Sequence, residues 1–242
     1  MVLNKDLRRR ILEKGIETGH GTFGPAFSCL DCIKYLYDNV LRDGIDKFIL
    51  SKGHGDMALF AVLESKGKKP TWTVHLDYNE SEGIYATTGS LGHGLPIGLG
   101  RAFAYKLQKK EGKIYVLLGD GEMEEGSNWE AFILANSLNI DNLVILIDWN
   151  KYQAVGNVQE IAKIDDLTLS KKLEAFGYRV LCIDGHNENE LSKLKYLNKG
   201  LNAVILNTIL GKGVKFIEDN HFHVLYWHHA REEYEKALQE LK

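Results

Sequence analysis

The chain has 242 residues, of which 44% are hydrophobic and 26% are charged, and this composition excludes a disordered or collagen-like protein. Its length suits one α/β core, so we expect a single domain over residues 1–242. A formal net charge of −3 leaves no global basic field, which argues against nucleic acid or an anionic membrane as a partner.

The sequence also lacks the marks of a membrane or secreted protein. No apolar run approaches the roughly 18 residues of a membrane span, and the charged amphipathic start MVLNKDLRRRILEKG differs from a secretory signal. The cytoplasm is therefore the expected compartment. Cys29, Cys32 and Cys182 are too few and too irregularly spaced for a disulfide framework or a four-ligand zinc site. Cys29 and Cys32 lie in a helical pattern, which favours buried structural thiols.

Helices and strands alternate along the chain. Apolar periodicity predicts helices near residues 4–18, 28–41, 55–66, 94–110, 126–139, 167–176, 187–199 and 229–241. Short runs that are apolar throughout predict the buried strands KFIL, KIYVLLG, NLVILID, RVLCID and NAVILNTI. Strands separated by helices form right-handed parallel crossovers. The sequence therefore predicts an α/β fold, a parallel β-sheet flanked by helices, in which ligands bind at the carboxyl ends of the strands.

Polar residues follow two of these strands and suggest a metal site. Gly119, Asp120 and Gly121 follow the strand KIYVLL, and Asn150 follows NLVILID, 30 residues later (150 − 120). One predicted helix separates the two strands, so Asp120 and Asn150 should lie at the same edge of the sheet. A carboxylate and an amide oxygen, completed by phosphate oxygens, form the ligand set that Mg²⁺ prefers. The glycines allow the backbone to approach a diphosphate closely.

The segments GDGEMEEGSNWEA and NLVILIDWNKYQ together resemble the thiamine diphosphate motif of transketolases. Further matching segments are ETGHGTFGPAFS, DKFILSKGHGDMALFAVL, ATTGSLGHGLPIGLGRAFA, VILNTILGKGVKFIEDN and YWHH. The resemblance implies the diphosphate-binding fold of this family, with Mg²⁺, Ca²⁺ or Mn²⁺ held by Asp120, Asn150 and the carbonyl of Tyr152. It also implies that Gly121 donates its amide to the phosphate. A simple turn, with Asp120 capping the next helix, is the alternative.

The resemblance also assigns histidines to the reaction. In transketolases, histidines orient the hydroxyls of the sugar and move protons, a task suited to a group that titrates near neutral pH. The matching residues are His20, His54, His75 and His228. Each alone is more often a surface residue. A second set is expected to be structural, solvent-facing or placed where the family has glutamine: His93, His186, His221, His223.

A glycine-rich segment, ATTGSLGHG, opens the helix near residues 94–110 and offers backbone amides to an anion or a ring nitrogen. By resemblance, Gly89 and Leu91 contact the cofactor through the backbone and an apolar side chain. Gly92 and Gly94 do not complete a dinucleotide fingerprint.

Four glutamates follow the GDG turn. The resemblance places Glu125 and Glu130 in a buried acidic chain between the two active sites of a dimer, with Glu125 near the cofactor. Favourable placement against the dipole of a helix N-terminus is the alternative for this pair. We expect Glu122 and Glu124 to be solvated charges.

The resemblance implies half of an enzyme. Thiamine diphosphate is the electron sink for cleaving a ketose, and transketolases activate it with a glutamate from a separate pyrimidine-binding domain. The sequence contains no second α/β module, so the expected partner is a C-terminal transketolase subunit with the pyrimidine and C-terminal domains. The expected assembly has two copies of each chain. It would transfer a two-carbon ketol unit from a ketose phosphate to an aldose.

Some features depart from the family, and other functions remain open. The segment GHGTFGP carries about two extra residues, and Leu76 stands where the family has proline. Alternatives are a subunit related to deoxyxylulose-phosphate synthase, a 2-oxoacid-decarboxylating enzyme, a nicotinamide dehydrogenase or a non-catalytic paralogue. No complete GxGxxG follows an early strand, which argues against the dehydrogenase.

Overall fold

A computed structural model describes residues 3–19, 21–197, 199–221 and 231–241. The strands are β1 Lys47–Leu50, β2 Ile114–Gly119, β3 Leu143–Trp149, β4 Tyr152–Gln153, β5 Gly156–Asn157, β6 Arg179–Asp184 and β7 Asn202–Asn207. The main sheet has five parallel strands in the order β1-β2-β3-β7-β6, and β4 and β5 form a two-stranded antiparallel hairpin. The predicted parallel sheet is confirmed, and all five strands of the main sheet coincide with the predicted apolar runs.

Helices cover both faces of this sheet. They are α1 Lys5–Thr18, α2 Phe23–Asn39, α3 Asp56–Ser65, α4 Gly94–Leu107, α5 Gly126–Ser137, α6 Val158–Ile161, α7 Asp166–Ala175, α8 Glu188–Leu191, α9 Lys215–Asn220 and α10 Arg231–Glu240. Short 3₁₀ turns span Gly53–Gly55, Gly121–Glu124 and Ser192–Tyr196. Across the described ranges, no helix combines the length and the apolar character needed to cross a bilayer.

Alternate residues of each strand enter two separate cores, as the pleat requires. On β2, Tyr115 and Leu117 pack with α1, α2 and α3, whereas Val116 and Leu118 pack with α4, α5 and α7 on the other face. Because both faces are covered, β1, β2, β3 and β7 are buried along nearly their whole length. Polar groups of the central strands are therefore available mainly at the strand ends. The prediction of a buried strand is wrong for β6, which lies at the edge of the sheet and is exposed or half-buried except at Ile183.

Helix α2 begins earlier than the apolar pattern predicts. The predicted start was residue 28, but the helix starts at Phe23 and includes Pro25. Proline is compatible with a first turn because the amide groups there have no acceptor within the helix. The early start brings Pro25 and Ser28 to the carboxyl end of the sheet, where both contact Lys52.

Two other segments differ from the prediction. The single helix predicted at 187–199 is instead α8 followed by the 3₁₀ turn Ser192–Tyr196. The stretch between the last predicted strand and the last predicted helix, for which the apolar pattern predicts no element, contains α9 in its described part. Both helices have only four to six residues, too few for apolar periodicity to reveal them.

Candidate functional site

The strand register brings the two predicted metal ligands together. Gly119 of β2 pairs with Asp148 of β3 in the parallel sheet, so Asp120 and Asn150 follow at adjacent strand ends. Both residues are 5% exposed, which places them in the interior of this carboxyl edge. The predicted placement at one edge of the sheet is therefore correct.

Asp120 is a buried acid with only one of its two carboxylate oxygens hydrogen-bonded within the described chain. Its Oδ1 accepts a hydrogen bond of 2.9 Å from the amide of Gly121, but its Oδ2 has no hydrogen-bond partner in the described chain. Burial, followed by the charge of Asp148, raises the pKa of Asp120 to about 7. Buried polar atoms are almost always paired. A divalent cation at Oδ2 would supply the missing partner and favour the ionised carboxylate.

Asn150 has its side chain oriented by the neighbouring polar groups. Its Oδ1 accepts a hydrogen bond of 3.0 Å from the amide of Tyr152, and its Nδ2 lies 3.3 Å from Asp148 Oδ2 and 3.4 Å from Ser28 Oγ. The amide nitrogen therefore points into the protein. The carbonyl oxygen accepts from Tyr152 at the turn that leads into β4, and its second lone pair remains suited to a metal.

A buried ion pair lies beneath this edge. The Lys52 ammonium donates to Asp148 Oδ2, and the two side chains are 1% and 0% exposed. Asp148 also accepts hydrogen bonds from Ser28 Oγ at 2.5 Å and from Thr208 Oγ1 at 2.6 Å. Neither charged residue is among the site residues predicted from the sequence. The available signal was an aspartate at the end of the apolar run LVILID, a position that is costly unless the charge is paired.

The glycine-rich segment packs directly on the 3₁₀ turn Gly53–Gly55. A Cβ added to Gly53 would lie 2.6 Å from the amide nitrogen of Gly89, so the two backbones touch. Gly89 has φ +148, and a Cβ there would lie 2.9 Å from the ring of His75. Only glycine fits at these positions. Leu91, the other residue predicted to contact the cofactor, is half-buried in the same segment.

The structure brings two of the predicted histidines to this edge. A Cβ added to Gly119 would lie 3.9 Å from His54 Cε1, so the half-buried His54 ring flanks the end of β2. His75 is exposed, has φ 66, and its ring lies against Gly89. His20 and His228 lie outside the described residues.

The remaining described histidines have structural contacts or lie at the surface. His186 Nδ1 is 2.8 Å from Asp31 Oδ2, and His186 Nε2 accepts from the amide of Ile209 at 2.9 Å. The ring of His221 stacks on Tyr152 with 4.1 Å between centroids. His93 is exposed at the start of α4. His223 is outside the described residues.

The prediction that Glu122 is a solvated charge is wrong. Glu122 is 1% exposed, and its carboxylate accepts from Ser51 Oγ, from the amide of Gly92 at 2.9 Å and from the amide of Gly119 at 3.2 Å. Burial raises its pKa although these donors oppose the shift. The 3₁₀ turn after Asp120 rotates this side chain inward, which strand and helix periodicity does not reveal.

The other three glutamates are exposed in the single chain. Glu124 accepts from Gln153 Nε2 at 2.9 Å, Glu125 precedes α5, and Glu130 lies on its surface. The expectation of solvent contact is thus confirmed for Glu124. An acidic chain formed by Glu125 and Glu130 requires a second molecule to cover them.

Protein side chains alone do not complete a metal site here. Within the described ranges, no three His, Cys, Asp or Glu side chains come together in a metal-binding group. This fits an ion held by one carboxylate, an amide oxygen and a carbonyl, since Mg²⁺ commonly takes its remaining ligands from water and substrate phosphates.

Comparison with known proteins agrees with this geometry. Residues 38–225 match the family described as "Transketolase, thiamine diphosphate binding domain". The chain therefore belongs to the transketolase family and is a thiamine diphosphate-binding domain of it.

The chain is similar to relatives along nearly its whole length. It is 35% identical to one of the subunits of the apulose-4-phosphate transketolase of Phocaeicola vulgatus, covering 97% of this chain and 90% of the relative. It is 34% identical to the 6-deoxy-6-sulfo-D-fructose transketolase subunit SqwG of Clostridium sp., covering 88% of this chain and 85% of the relative. The predicted resemblance to the N-terminal subunit of a split transketolase is confirmed.

A solved structure shows the same fold in a longer chain. Transketolase from Campylobacter jejuni superposes with a TM-score of 0.82 at 24% identity, covering 97% of this chain and 41% of that one. The present chain thus spans about two fifths of that transketolase.

Proposed function

We propose that this chain is the cofactor-binding subunit of a split transketolase that transfers a two-carbon ketol unit. The supporting observation is the buried, unpaired Oδ2 of Asp120 beside Asn150, at the carboxyl edge where the sheet is expected to bind ligands. The side chains of Asp120 and Asn150 and the carbonyl of Tyr152 would hold Mg²⁺, or Ca²⁺ or Mn²⁺ in its place. Thiamine diphosphate would then supply the electron sink for cleavage of the ketose.

The surrounding backbone would hold the cofactor itself. Gly119 and Gly121 carry no side chain at the turn, and the Gly121 amide, which donates to Asp120 Oδ1 in the chain alone, would donate to the diphosphate when the cofactor is bound. Gly89 and Leu91 would contact the cofactor rings, with Glu125 at the edge of the same site. The close packing of Gly53 on Gly89 supports this assignment, because it fixes the glycine-rich segment next to the end of β2.

We assign the substrate side of the cleft to histidines. His54 and His75 flank the ends of β2 and the glycine-rich segment, respectively, which suits groups that orient sugar hydroxyls and move protons. His20 and His228 complete the proposed set by their sequence motifs. Ketoses with a terminal anionic group are the proposed donors, because the similar proteins described above are named as transketolase subunits for apulose 4-phosphate and 6-deoxy-6-sulfo-D-fructose.

The partner would be a C-terminal subunit that carries the pyrimidine-binding and C-terminal domains, in an assembly with two copies of each chain. The exposed side chains of Ile97, Ile133 and Leu134 support a contact between two copies of this chain. Glu130 lies one turn before Ile133 and Leu134, on the same face of α5. Such a contact would bury the acidic residues predicted to link the two active sites. We propose that residues 1–242 act as a single domain in the cytoplasm.

The metal assignment is tested by titrating thiamine diphosphate with Mg²⁺ into the full chain, with its partner present. Asp120→Asn should weaken binding at least about 10-fold, because it removes the anionic ligand. Asp141→Asn is the matched control, since Asp141 is exposed before β3 at the opposite edge. Normal binding by Asp120→Asn would contradict the assignment.

The division between two chains is tested by activity. The purified chain alone should give no ketol transfer from a ketose phosphate to an aldose, and addition of the partner should restore it. Robust turnover by the chain alone would refute the proposed split.

A further inference from the structure

The buried carboxylate of Glu122 joins three segments that are far apart in the sequence. Its Oε1 accepts from Ser51, at the end of β1, and from the amide of Gly92, before α4. Its Oε2 accepts from the amide of Gly119, at the end of β2. These segments surround the site that the proposed function gives to the cofactor.

Each of these contacts reaches a tightly packed backbone. Gly92 has φ +81, its amide donates to Glu122, and its carbonyl accepts from Ser127 Oγ at 2.7 Å. A Cβ added to Gly94 would lie 2.4 Å from Ser51 Oγ, so the start of α4 touches the hydroxyl that Glu122 binds. The glycine-rich segment is therefore tied on both sides of Gly92.

The turn that carries Glu122 is itself held in place. Asn128 Nδ2 donates to the backbone carbonyl of Glu122 at 2.7 Å, and Asn128 is fully buried in α5. The carboxylate thus links the turn after Asp120 to the segment that contains Gly89 and Leu91. Three donors converge on it, and a neutral amide could not accept from all three, because its nitrogen is a donor.

We propose that Glu122 is a positioning residue for the cofactor site: it fixes the glycine-rich segment, residues 86–94, against the Gly119–Gly121 turn. This inference rests on the proposed function, because it names the residue that orders the two backbone segments expected to contact thiamine diphosphate. Glu122 itself is 1% exposed and enclosed by its donors, so its proposed action on the cofactor runs through the backbone segments that it holds.

The first test measures amide hydrogen exchange of the cofactor-free full chain. Glu122→Ala, which removes both carboxylate oxygens, should accelerate exchange at Gly92, whereas exchange in the centres of β2 and β3 should stay slow. Glu124→Ala is the matched control, since Glu124 lies in the same turn but is exposed and bonded to Gln153. Unchanged exchange at Gly92 in Glu122→Ala would overturn the proposal.

The second test titrates thiamine diphosphate with Mg²⁺ into the chain with its partner. Glu122→Gln should weaken binding about 10-fold or more, which is the size of effect typical of residues that orient the groups in direct contact with a ligand. Ser51→Ala, which removes one donor and leaves the acceptor, should give a smaller loss and covers the case of a Glu122 variant that does not fold. Binding by both variants equal to wild type would overturn the positioning role.

The two measurements separate this inference from the proposed function. Failure of the wild-type complex to bind thiamine diphosphate with Mg²⁺ would refute the proposed function. The exchange rate at Gly92, measured without any cofactor, would still decide whether Glu122 fixes the glycine-rich segment.

Discussion

Lys52 and Asp148 form a buried ion pair below the carboxyl ends of β1 and β3, on either side of β2. Burial alone would lower the pKa of Lys52, but the Asp148 carboxylate raises it above its ordinary value, so the lysine is charged. Both members of the pair act on Asp120: burial and then the Asp148 carboxylate raise its pKa, and the Lys52 cation lowers it by less. The ionisation of Asp120 is therefore set in part by charges that lie behind the carboxyl edge of the sheet.

Removing one partner of this pair should be costly. Lys52→Met would leave the buried Asp148 carboxyl group without its cationic partner, and we expect a loss of about 3–5 kcal/mol in unfolding free energy. Urea denaturation of the cofactor-free chain measures the loss. The control is Lys193→Met, because Lys193 pairs with Glu190 at the surface, where about 1 kcal/mol or less is expected. Equal losses in the two variants would contradict the structural role of the pair.

The packing of α4 on the sheet gives a second test. A Cβ added to Gly98 would lie 2.4 Å from Val116 Cγ2, whereas one added to Gly100 meets nothing within 4 Å. Gly98→Ala should therefore displace the helix from β2 and cost about 1–3 kcal/mol. Gly100→Ala, on the same helix, should stabilise the chain by up to about 1 kcal/mol, because alanine favours the helix. Thermal unfolding distinguishes the two; similar melting temperatures would contradict the packing.

The ends of the central strands could be predicted from the sequence. A run that is apolar throughout and stops at Gly119, or one residue before Asn150, marks where a buried parallel strand reaches the edge of its sheet. Because the carboxyl ends of parallel strands lie at one edge of the sheet, the placement of Asp120 near Asn150 could be predicted without knowledge of the rest of the fold.

The buried polar side chains that lie behind the carboxyl edge of the sheet could not be predicted in the same way. Ser28 and Asp148 are 120 residues apart, and Ser51 and Glu122 are 71 residues apart. Their burial depends on how α2, β1 and the GDG turn pack together, which local periodicity does not encode. Glu122 follows Gly121 in a 3₁₀ turn, so neither the helical nor the strand period indicates which way it points.

The cysteines should differ sharply in reactivity. Burial raises the pKa of Cys29 to about 12 and that of Cys32 well above its ordinary value, whereas Cys182 is exposed on β6. Because the thiolate is the reactive form, we expect one thiol per native chain to react with a thiol reagent near pH 8, and three after unfolding. Cys182→Ser should abolish the native reaction. Reaction of further thiols in the folded chain would contradict the burial of Cys29 and Cys32.

Asp120 predicts how stability depends on pH. Burial and the charge of Asp148 raise its pKa from 3.8 to about 7, so the folded chain binds this proton more tightly than the unfolded chain does. The resulting stability is fully present below the unfolded pKa and is lost as the pH rises through 7. We expect the unfolding free energy of the cofactor-free chain to fall by about 2–3 kcal/mol from about pH 5 to 8. Urea denaturation across this range should show a flatter dependence for Asp120→Asn and an unchanged one for Asp141→Asn. The same slope in wild type and Asp120→Asn would show that this carboxyl does not titrate as the structure indicates.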